Sequence, residues 1–561
     1  MAYSPLDTSS QATTGAGFPA YNLDSALGAN RYTGHTTSIT GQNTVTTNLE
    51  AGHIWNGHES LSHVSSFTHH SDAFGTTTAD LYDRHATWAG MLIGGRQTAG
   101  GGIYQQGLAY GTDLRSAALA TSWGGNAYAL SFGFSYSTVA TAFSTAFDTS
   151  DVINSSYGFT DAAGANAYTL LSDGAAFAHS TTTHVVSAGN SGPTANTVGS
   201  PGSGYNQITV AALAPTDDYN VVASFSSRAP QDFSYYDETG TGVLVSGVRA
   251  AVDLAAPGQD IVSAYYDGQS GGNNSTLTGS TAGTGADNLY SSVSGTSFAA
   301  PIVAGGAALV TSAAKTLEDL SGNADATQSV VVKSLLLTGA DKTDGWDNGQ
   351  TLTQVNGDAV QVTSQSLDWD AGAGRMNLDR TFDIQVNGQT DVAGFTLGNL
   401  GSVDVRGWDY GAVRLGLSNE YILDGTLDGN STLTSTLSWL RNREWDEVNI
   451  TVADVAQADL NLSIWQLDDN LDFTTQVARS ESQYNTVEHL SFTLPETGRY
   501  GIRIEYDANT FDNTVNDVWG SAGIEQTYGL AWDLVVVPEA GVLVMFSALS
   551  LALLLGLRRR R

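Results

Sequence analysis

The chain has 561 residues, a formal net charge of −34 and no cysteine. Its length predicts two or three domains, and the lack of cysteine excludes disulfides and thiolate metal sites. The acidic balance argues against a nucleic-acid partner, because phosphate backbones select surfaces rich in Lys and Arg.

Residues 1–40 are rich in Ser, Thr, Ala and Gly and predict an irregular lead-in. Residues 1–23 carry neither a basic segment nor an apolar core, so no signal peptide is recognisable among them. We therefore expect either an upstream start or another export route.

Residues 41–384 predict an α/β domain with a mainly parallel sheet flanked by helices. Short β-branched runs alternate there with Ala-rich segments, as at 185–187, 208–210 and 242–245. Residues 267–292 are mostly Gly, Ser, Thr and Asn and predict a flexible surface insertion.

Residues 385–534 predict an antiparallel β-sandwich domain, because apolar and polar side chains alternate in runs such as 460–464 and 500–506. Residues 535–561 predict a transmembrane or sorting segment. Its part 541–557 is uncharged and mostly apolar, about 25 Å long as a helix, and four arginines follow. The arginines would stay in the cytoplasm, and the body of the protein would face outward.

Ser297 is the first candidate for a catalytic residue. Segment 294–301 reads Ser-Gly-Thr-Ser-Phe-Ala-Ala-Pro and opens a run of small and apolar residues, which predicts a core helix with Ser297 at its N-terminus. A serine nucleophile needs a base, an acid that orients the base, and donors for the oxyanion. Taken alone, the segment also fits an ordinary turn and helix cap.

The run from Gly295 to Pro301 resembles the nucleophile motif of the subtilisin-like serine proteases, Gly-Thr-Ser-x-Ala-x-Pro. Segments 223–228, 253–258 and 372–377 resemble structural motifs of the same family, so that the resemblance covers about residues 41–380. It implies a subtilisin-like fold and endopeptidase chemistry on extended polypeptides.

The resemblance also assigns residues that bind substrate and the oxyanion. Segment 184–192 makes Asn190 the side-chain donor of the oxyanion hole, and an ordinary turn asparagine is the alternative. Segment 151–158 implies that Ser156, Tyr157 and Gly158 pair with the substrate backbone by β-augmentation.

His85 takes the place of the family's catalytic base within segment 83–95, in which Ala86, Trp88 and Met91 depart from the usual residues. Glu50 takes the place of the orienting aspartate, at the end of the strand expected within 42–52. Its side chain is one methylene longer, about 1.5 Å of reach. The expected triad is Ser-His-Glu, which works on other folds; a catalytically inactive surface protein that uses the scaffold for binding or display is the alternative.

The C-terminal segment is similar to the PEP-CTERM sorting signal, which an exosortase processes, with Ala540 where a second proline is usual. A permanent anchor is the alternative. Residues 420–535 are similar to the pre-peptidase type of β-sandwich module that follows many secreted bacterial proteases. These resemblances imply export to the cell envelope or the extracellular space.

The expected chemistry requires no cofactor. Segments 341–349 and 468–470 make structural calcium possible, although neither follows the EF-hand spacing. His53, His69 and His70 belong to a histidine-rich stretch that could bind a metal adventitiously. The expected partners are a polypeptide substrate, an exosortase-like processing enzyme and the membrane, with no nucleic acid.

Overall fold

The computed structural model describes residues 27–70, 78–98, 106–119, 122–124, 127–129, 136–237, 240–266, 280–281, 289–389, 402–513 and 525–536. Most of the lead-in, most of the insertion expected at 267–292 and nearly all of the sorting segment expected at 535–561 lie outside these residues.

The α-helices within these ranges are α1 Asn30–Thr33, α2 Arg84–Gly94, α3 Tyr136–Thr149, α4 Ala167–Ala178, α5 Thr296–Thr316, α6 Ser329–Gly339 and α7 Leu378–Gln385. The strands up to residue 293 are β1 Val45–Glu50, β2 Ser66–His69, β3 Asp113–Ala118, β4 Ser122–Gly124, β5 Ala127–Ala129, β6 Val152–Ser155, β7 Thr183–Ser187, β8 Ile208–Ala214, β9 Val221–Val222, β10 Gln231–Tyr236, β11 Gly242–Arg249, β12 Leu254–Pro257, β13 Ile261–Tyr265, β14 Ser280–Thr281 and β15 Leu289–Val293. The later strands are β16 Thr351–Val355, β17 Asp358–Thr363, β18 Ser402–Val403, β19 Arg406–Arg414, β20 Ser418–Leu423, β21 Thr432–Trp439, β22 Asn442–Asp446, β23 Thr451–Leu467, β24 Phe473–Ser480, β25 Val487–Thr493, β26 Arg499–Asp512 and β27 Glu525–Val535.

A parallel sheet forms the centre of the first half of the chain. Its order is β12-β8-β7-β6-β1-β3-β2, and each neighbouring pair in this order is parallel. One face of the sheet packs on α3 and α4, and Leu49 and Ile153 are side chains of this face. The other face packs on α2 and α5. Burial on both faces explains the β-branched runs that lack alternation, and the expected α/β domain with a parallel sheet is confirmed.

Segment 242–245 lies outside this sheet. It belongs to β11, which pairs antiparallel with β10 in a separate hairpin. Leu244 is 60% exposed there, so its apolar side chain does not mark a core strand. A short β-branched run cannot distinguish a hairpin strand from a sheet strand.

Helix α5 is the central helix of the first domain. Within the described ranges it is the one helix long and apolar enough to cross a membrane. However, 94% of an apolar 18-residue stretch of this helix is buried inside the protein. Small residues allow this burial, because a Cβ at Gly305 would lie 2.9 Å from Leu108 and one at Gly306 would lie 2.7 Å from Met376. The helix is therefore part of the core.

The second half of the chain forms two facing sheets. One has the order β16-β17-β24-β23-β26-β20-β18 and the other the order β19-β27-β21-β25. The alternating runs 460–464 and 500–506, which were expected to be strands, lie in β23 and β26. These two strands pair with each other, with Leu462 opposite Ile504. Hairpin β16–β17 joins the first sheet through a parallel pairing with β24.

The two halves are in close contact. Helix α6 lies against β21 and β27, where Ser438 donates a hydrogen bond to the carbonyl of Val330 at 2.9 Å. Arg443 of β22 binds Asp173 of α4 at 2.6 Å, and both side chains are buried. The β-rich second half is thus fixed to the α/β domain by buried polar and ionic contacts.

Candidate active site

The candidate site lies where neighbouring strands of the parallel sheet end. Strand β1 ends at Glu50, and β6 and β7 end just before Ser156 and Asn190. Because the carboxyl ends of parallel strands meet at one edge of a sheet, these residues share that edge. Helix α2, which carries His85, and the N-terminus of α5, which carries Ser297, complete the group.

Glu50 contacts His85. Its Oε2 lies 3.1 Å from Nδ1 of the imidazole, and its Oε1 accepts a hydrogen bond from the backbone N–H of Ser156 at 3.2 Å. The carboxylate is buried, whereas the imidazole is 34% exposed. The longer glutamate side chain therefore reaches the histidine and is held by a second donor.

A further acid, Asp83, lies close to His85, and the sequence reasoning assigned it no role. Its carboxylate caps α2 by accepting a hydrogen bond from the N–H of Ala86 at 3.2 Å. Burial, together with the charge of Glu50, raises the pKa of Asp83 to about 6. An aspartate directly before a helical run is the sequence signal of such a cap.

The acids around His85 favour its charged form. Burial alone would lower the pKa of the imidazole, but the charge and hydrogen bond of Glu50 and the charge of Asp83 outweigh it and raise this pKa to about 9. The histidine therefore holds its proton at neutral pH when no substrate is bound.

Ser297 lies at the N-terminus of α5 with its side chain largely buried. Its hydroxyl donates to the backbone carbonyl of Ser156 at 3.1 Å. Across the described parts of the chain, no hydrogen bond joins Ser297 to His85. A neutral imidazole can accept this hydroxyl proton, whereas an imidazolium can only donate to the hydroxyl oxygen.

An aromatic group packs behind the imidazole. The ring of Phe298 lies 5.7 Å from that of His85, and Trp88 meets Phe298 edge-on at 5.7 Å. Trp88 departs from the usual motif. Its ring fills space beside His85 and leaves the imidazole in place.

Asn190 lies beside the N-terminus of α5. Its Oδ1 accepts hydrogen bonds from the N–H of Thr296 at 2.9 Å and from the hydroxyl of Thr296 at 3.0 Å. These bonds fix the orientation of the Asn190 amide group. Its Nδ2 lies 3.5 Å from the position that a Cβ on Gly295 would occupy. The side chain is exposed and can donate to a bound group.

A cleft of about 560 Å³ opens at these residues. It is lined by residues 156–162, 187–191, 196–197, 199 and 296–297. The three residues expected to pair with substrate, Ser156, Tyr157 and Gly158, therefore lie on the same cleft as Asn190 and Ser297. The carboxylate of Asp161 in its wall is already bound by the hydroxyls of Thr169 and Ser203 at 2.7 and 3.0 Å.

The segments considered for calcium have carboxylates that bind other groups. Asp341 binds Arg375 at 3.1 Å, and Asp468 accepts the N–H of Asn470 at 2.8 Å as part of a turn. In the histidine-rich stretch, His53 contacts His69 at 2.6 Å, and burial with nearby histidines lowers the pKa of His53 to about 3. Structural calcium stays a prediction.

The sequence model of the Subtilase family, Peptidase_S8, matches residues 32–358. The chain belongs to this family of subtilisin-like serine proteases. Serine protease AprX of Bacillus subtilis is 38% identical over 162 residues, which are 28% of this chain and 30% of AprX. Subtilisin of Bacillus sp. strain TA39 is 34% identical over 128 residues, 22% of this chain and 24% of that protein.

Among solved structures, fervidolysin from Fervidobacterium pennivorans, a keratinolytic enzyme related to subtilisin, aligns with a TM-score of 0.46 and 17% identity. The alignment covers 88% of this chain and 64% of fervidolysin. This likeness is too distant to inform function.

Proposed function

We propose that the protein is a serine endopeptidase that cleaves extended polypeptides with Ser297, His85, Glu50 and Asn190. The observation that carries this proposal is the 3.1 Å contact of Glu50 with His85, because the same carboxylate accepts the N–H of Ser156, which lines the cleft together with Ser297. Membership of the Subtilase family supports the assignment of the serine as nucleophile.

In this mechanism the neutral imidazole of His85 takes the proton of Ser297 as the hydroxyl oxygen attacks the scissile carbonyl carbon. Glu50 stabilises the imidazolium that forms. Nδ2 of Asn190 and a backbone N–H near Ser297 donate to the oxyanion. His85 then protonates the leaving amine, and water releases the acyl group by the same steps.

The substrate backbone would extend along residues 156–158 by β-augmentation. Pairing of this kind recognises main-chain groups, so the class of substrate is an extended polypeptide segment. The hydroxyl of Ser297 must leave the carbonyl of Ser156 before it can bind the imidazole, since it has one proton to donate.

We also propose that the protein is exported to the cell envelope or extracellular space. The apolar segment 541–557 and the four arginines after it would anchor it in the membrane or direct an exosortase-like enzyme to it. The chemistry would need no cofactor, and bound calcium would serve stability alone.

The alternative is an inactive relative that uses the scaffold for binding. It is favoured by the hydrogen bond of Ser297 to Ser156, which uses the one proton that the serine hydroxyl can donate. The two functions differ in whether the serine reacts.

Labelling with a fluorophosphonate probe distinguishes them. We expect the wild type to be labelled at pH 9, Ser297→Ala to be unlabelled, and Ser294→Ala, a change to an exposed serine of the same segment, to be labelled normally. Folded wild-type protein that takes up no label would support the binding scaffold instead.

A further inference from the structure

Three side chains that commonly bind metals meet at the junction of the two halves of the protein, apart from the candidate active site. Asp148, His179 and Glu447 each offer one ligand atom, and the three atoms lie within 4.8 Å of one another. Nδ1 of His179 is 3.6 Å from Asp148, and Nε2 is 4.0 Å from Glu447. This group, here called the junction cluster, combines an imidazole with two carboxylates.

Two helices end at the junction cluster. Asp148 lies in the last turn of α3, and His179 is the C-terminal cap of α4, with its N–H bonded to the carbonyl of Ala175 at 3.0 Å. The C-terminal ends of helices carry partial negative charge, which favours a cation. The ring of Phe147 packs 5.9 Å from that of His179 and restricts its orientation.

The third ligand comes from the sandwich on a well-fixed hairpin. Trp445, Ile450 and Val452 of the β22–β23 hairpin pack on the apolar cluster formed by α3 and α4. A Cβ at Gly174 would lie 3.1 Å from Trp445, so the hairpin packs closely on α4 at this glycine. The carboxylate of Asp446 shapes the turn that carries Glu447 by accepting two backbone N–H groups. The three ligands are therefore held by three separate, ordered elements.

We propose that Asp148, His179 and Glu447 bind a divalent transition-metal ion of the Zn²⁺ type, which links the sandwich to the α/β domain. An imidazole with two carboxylates is a ligand set typical of Zn²⁺ and its neighbours, whereas Ca²⁺ takes six to eight oxygen ligands. Water completes the coordination.

The geometry requires small adjustments. Ligands of a tetrahedral Zn²⁺ with bonds of about 2.0 Å lie about 3.3 Å apart, so ligand atoms that now lie up to 4.8 Å apart must approach by as much as about 1.5 Å. Both carboxylates can move, because Asp148 is 54% and Glu447 49% exposed. One ring nitrogen of His179 would bind the metal, so the carboxylate that now lies beside the other nitrogen must move to the metal's side of the ring.

Calorimetric titration of Zn²⁺ into the chelator-treated full chain tests the proposal. We expect one ion to bind per chain and to raise the melting temperature. His179→Asn and Glu447→Gln should each weaken the affinity for Zn²⁺ more than tenfold. Mutation of a residue that only hydrogen-bonds to a metal ligand already lowers metal affinity by about tenfold or more. Glu444→Gln removes an exposed carboxylate of the same hairpin outside the cluster and should bind like the wild type.

Three results would overturn the proposal. The first is the absence of saturable Zn²⁺ binding, as expected if His179 only contacts its two carboxylate neighbours. The second is unchanged affinity in His179→Asn and Glu447→Gln. The third is loss of binding in His69→Gln, which would place the ion in the histidine-rich stretch. The melting temperature of each variant without Zn²⁺ establishes that it is folded.

Discussion

The hydroxyl of Ser297 donates to the carbonyl of Ser156 at 3.1 Å. The N–H of the same residue, Ser156, donates to Glu50 at 3.2 Å. One residue of the substrate-binding segment thus contacts both the proposed nucleophile and the proposed acid. A substrate that pairs with this segment would approach Ser297, whereas the buried carboxylate of Glu50 would act only through His85.

The activity should rise with pH far into the alkaline range. The base acts only when neutral, and the pKa of His85 is raised to about 9 by Glu50 and Asp83 against the effect of burial. We expect the acidic limb of log kcat/KM against pH to have an apparent pKa well above 6.5. Peptidase assays between pH 5 and 10 measure it.

Glu50→Gln tests the cause of that shift. Removal of the charge should move the limb toward lower pH while reducing the plateau rate by about four orders of magnitude, as when a triad acid no longer fixes its histidine. A limb that stays in place would mean that Glu50 does not set the pKa of His85.

Glu50→Asp tests whether the length of the side chain matters. Strand β1 holds the backbone of residue 50 by pairing with β3, so the shorter carboxylate would withdraw from His85 by about 1.5 Å. A displacement of this size typically costs about 10²-fold in rate. Steady-state kinetics measure the effect, and activity equal to that of the wild type would contradict the geometry.

Asn190→Ala tests the oxyanion donor. Loss of one such donor typically costs about 10² to 10³ in kcat, or about 2.7–4 kcal/mol. We expect kcat to fall and KM to change little, since the bond forms in the transition state. Thr160→Ala, at another exposed position on the same cleft, is the matched control and should leave kcat unchanged.

Arg443→Met should destabilise the whole chain. It leaves the buried carboxylate of Asp173 without its ion-pair partner, with the backbone N–H groups of Tyr205 and Asn206 still bound to it, and such a loss typically costs about 3–5 kcal/mol. Urea unfolding followed by tryptophan fluorescence measures the loss. The double variant Arg443→Met, Asp173→Asn should recover part of it, and a single variant as stable as the wild type would show that the pair does not fix the interface.

Local sequence patterns predicted the elements that build the candidate site. Residue patterns only a few positions long predict the strand ending at Glu50, the helix starting near Ser297 and the alternating strands of the second half. Segment 242–245 lies in hairpin β10–β11 and not in the parallel sheet, and its β-branched run fits either setting.

Other features depend on residues far apart in the chain. No spacing rule could bring together Asp148, His179 and Glu447, since packing alone makes them neighbours. The hydrogen bond of Ser297 to Ser156 likewise joins residues 141 positions apart, which no local motif encodes.

The pairing of β17 with β24 has a practical consequence for dividing the chain. A fragment ending at residue 384 would contain β16 and β17 without their neighbour, in which Ala478 stands opposite Gln361 and Ser480 opposite Thr363. Its freed strand edge would offer unpaired N–H and C=O groups to other molecules, and such edges promote aggregation. Expression of the peptidase half should therefore include the sandwich up to residue 535.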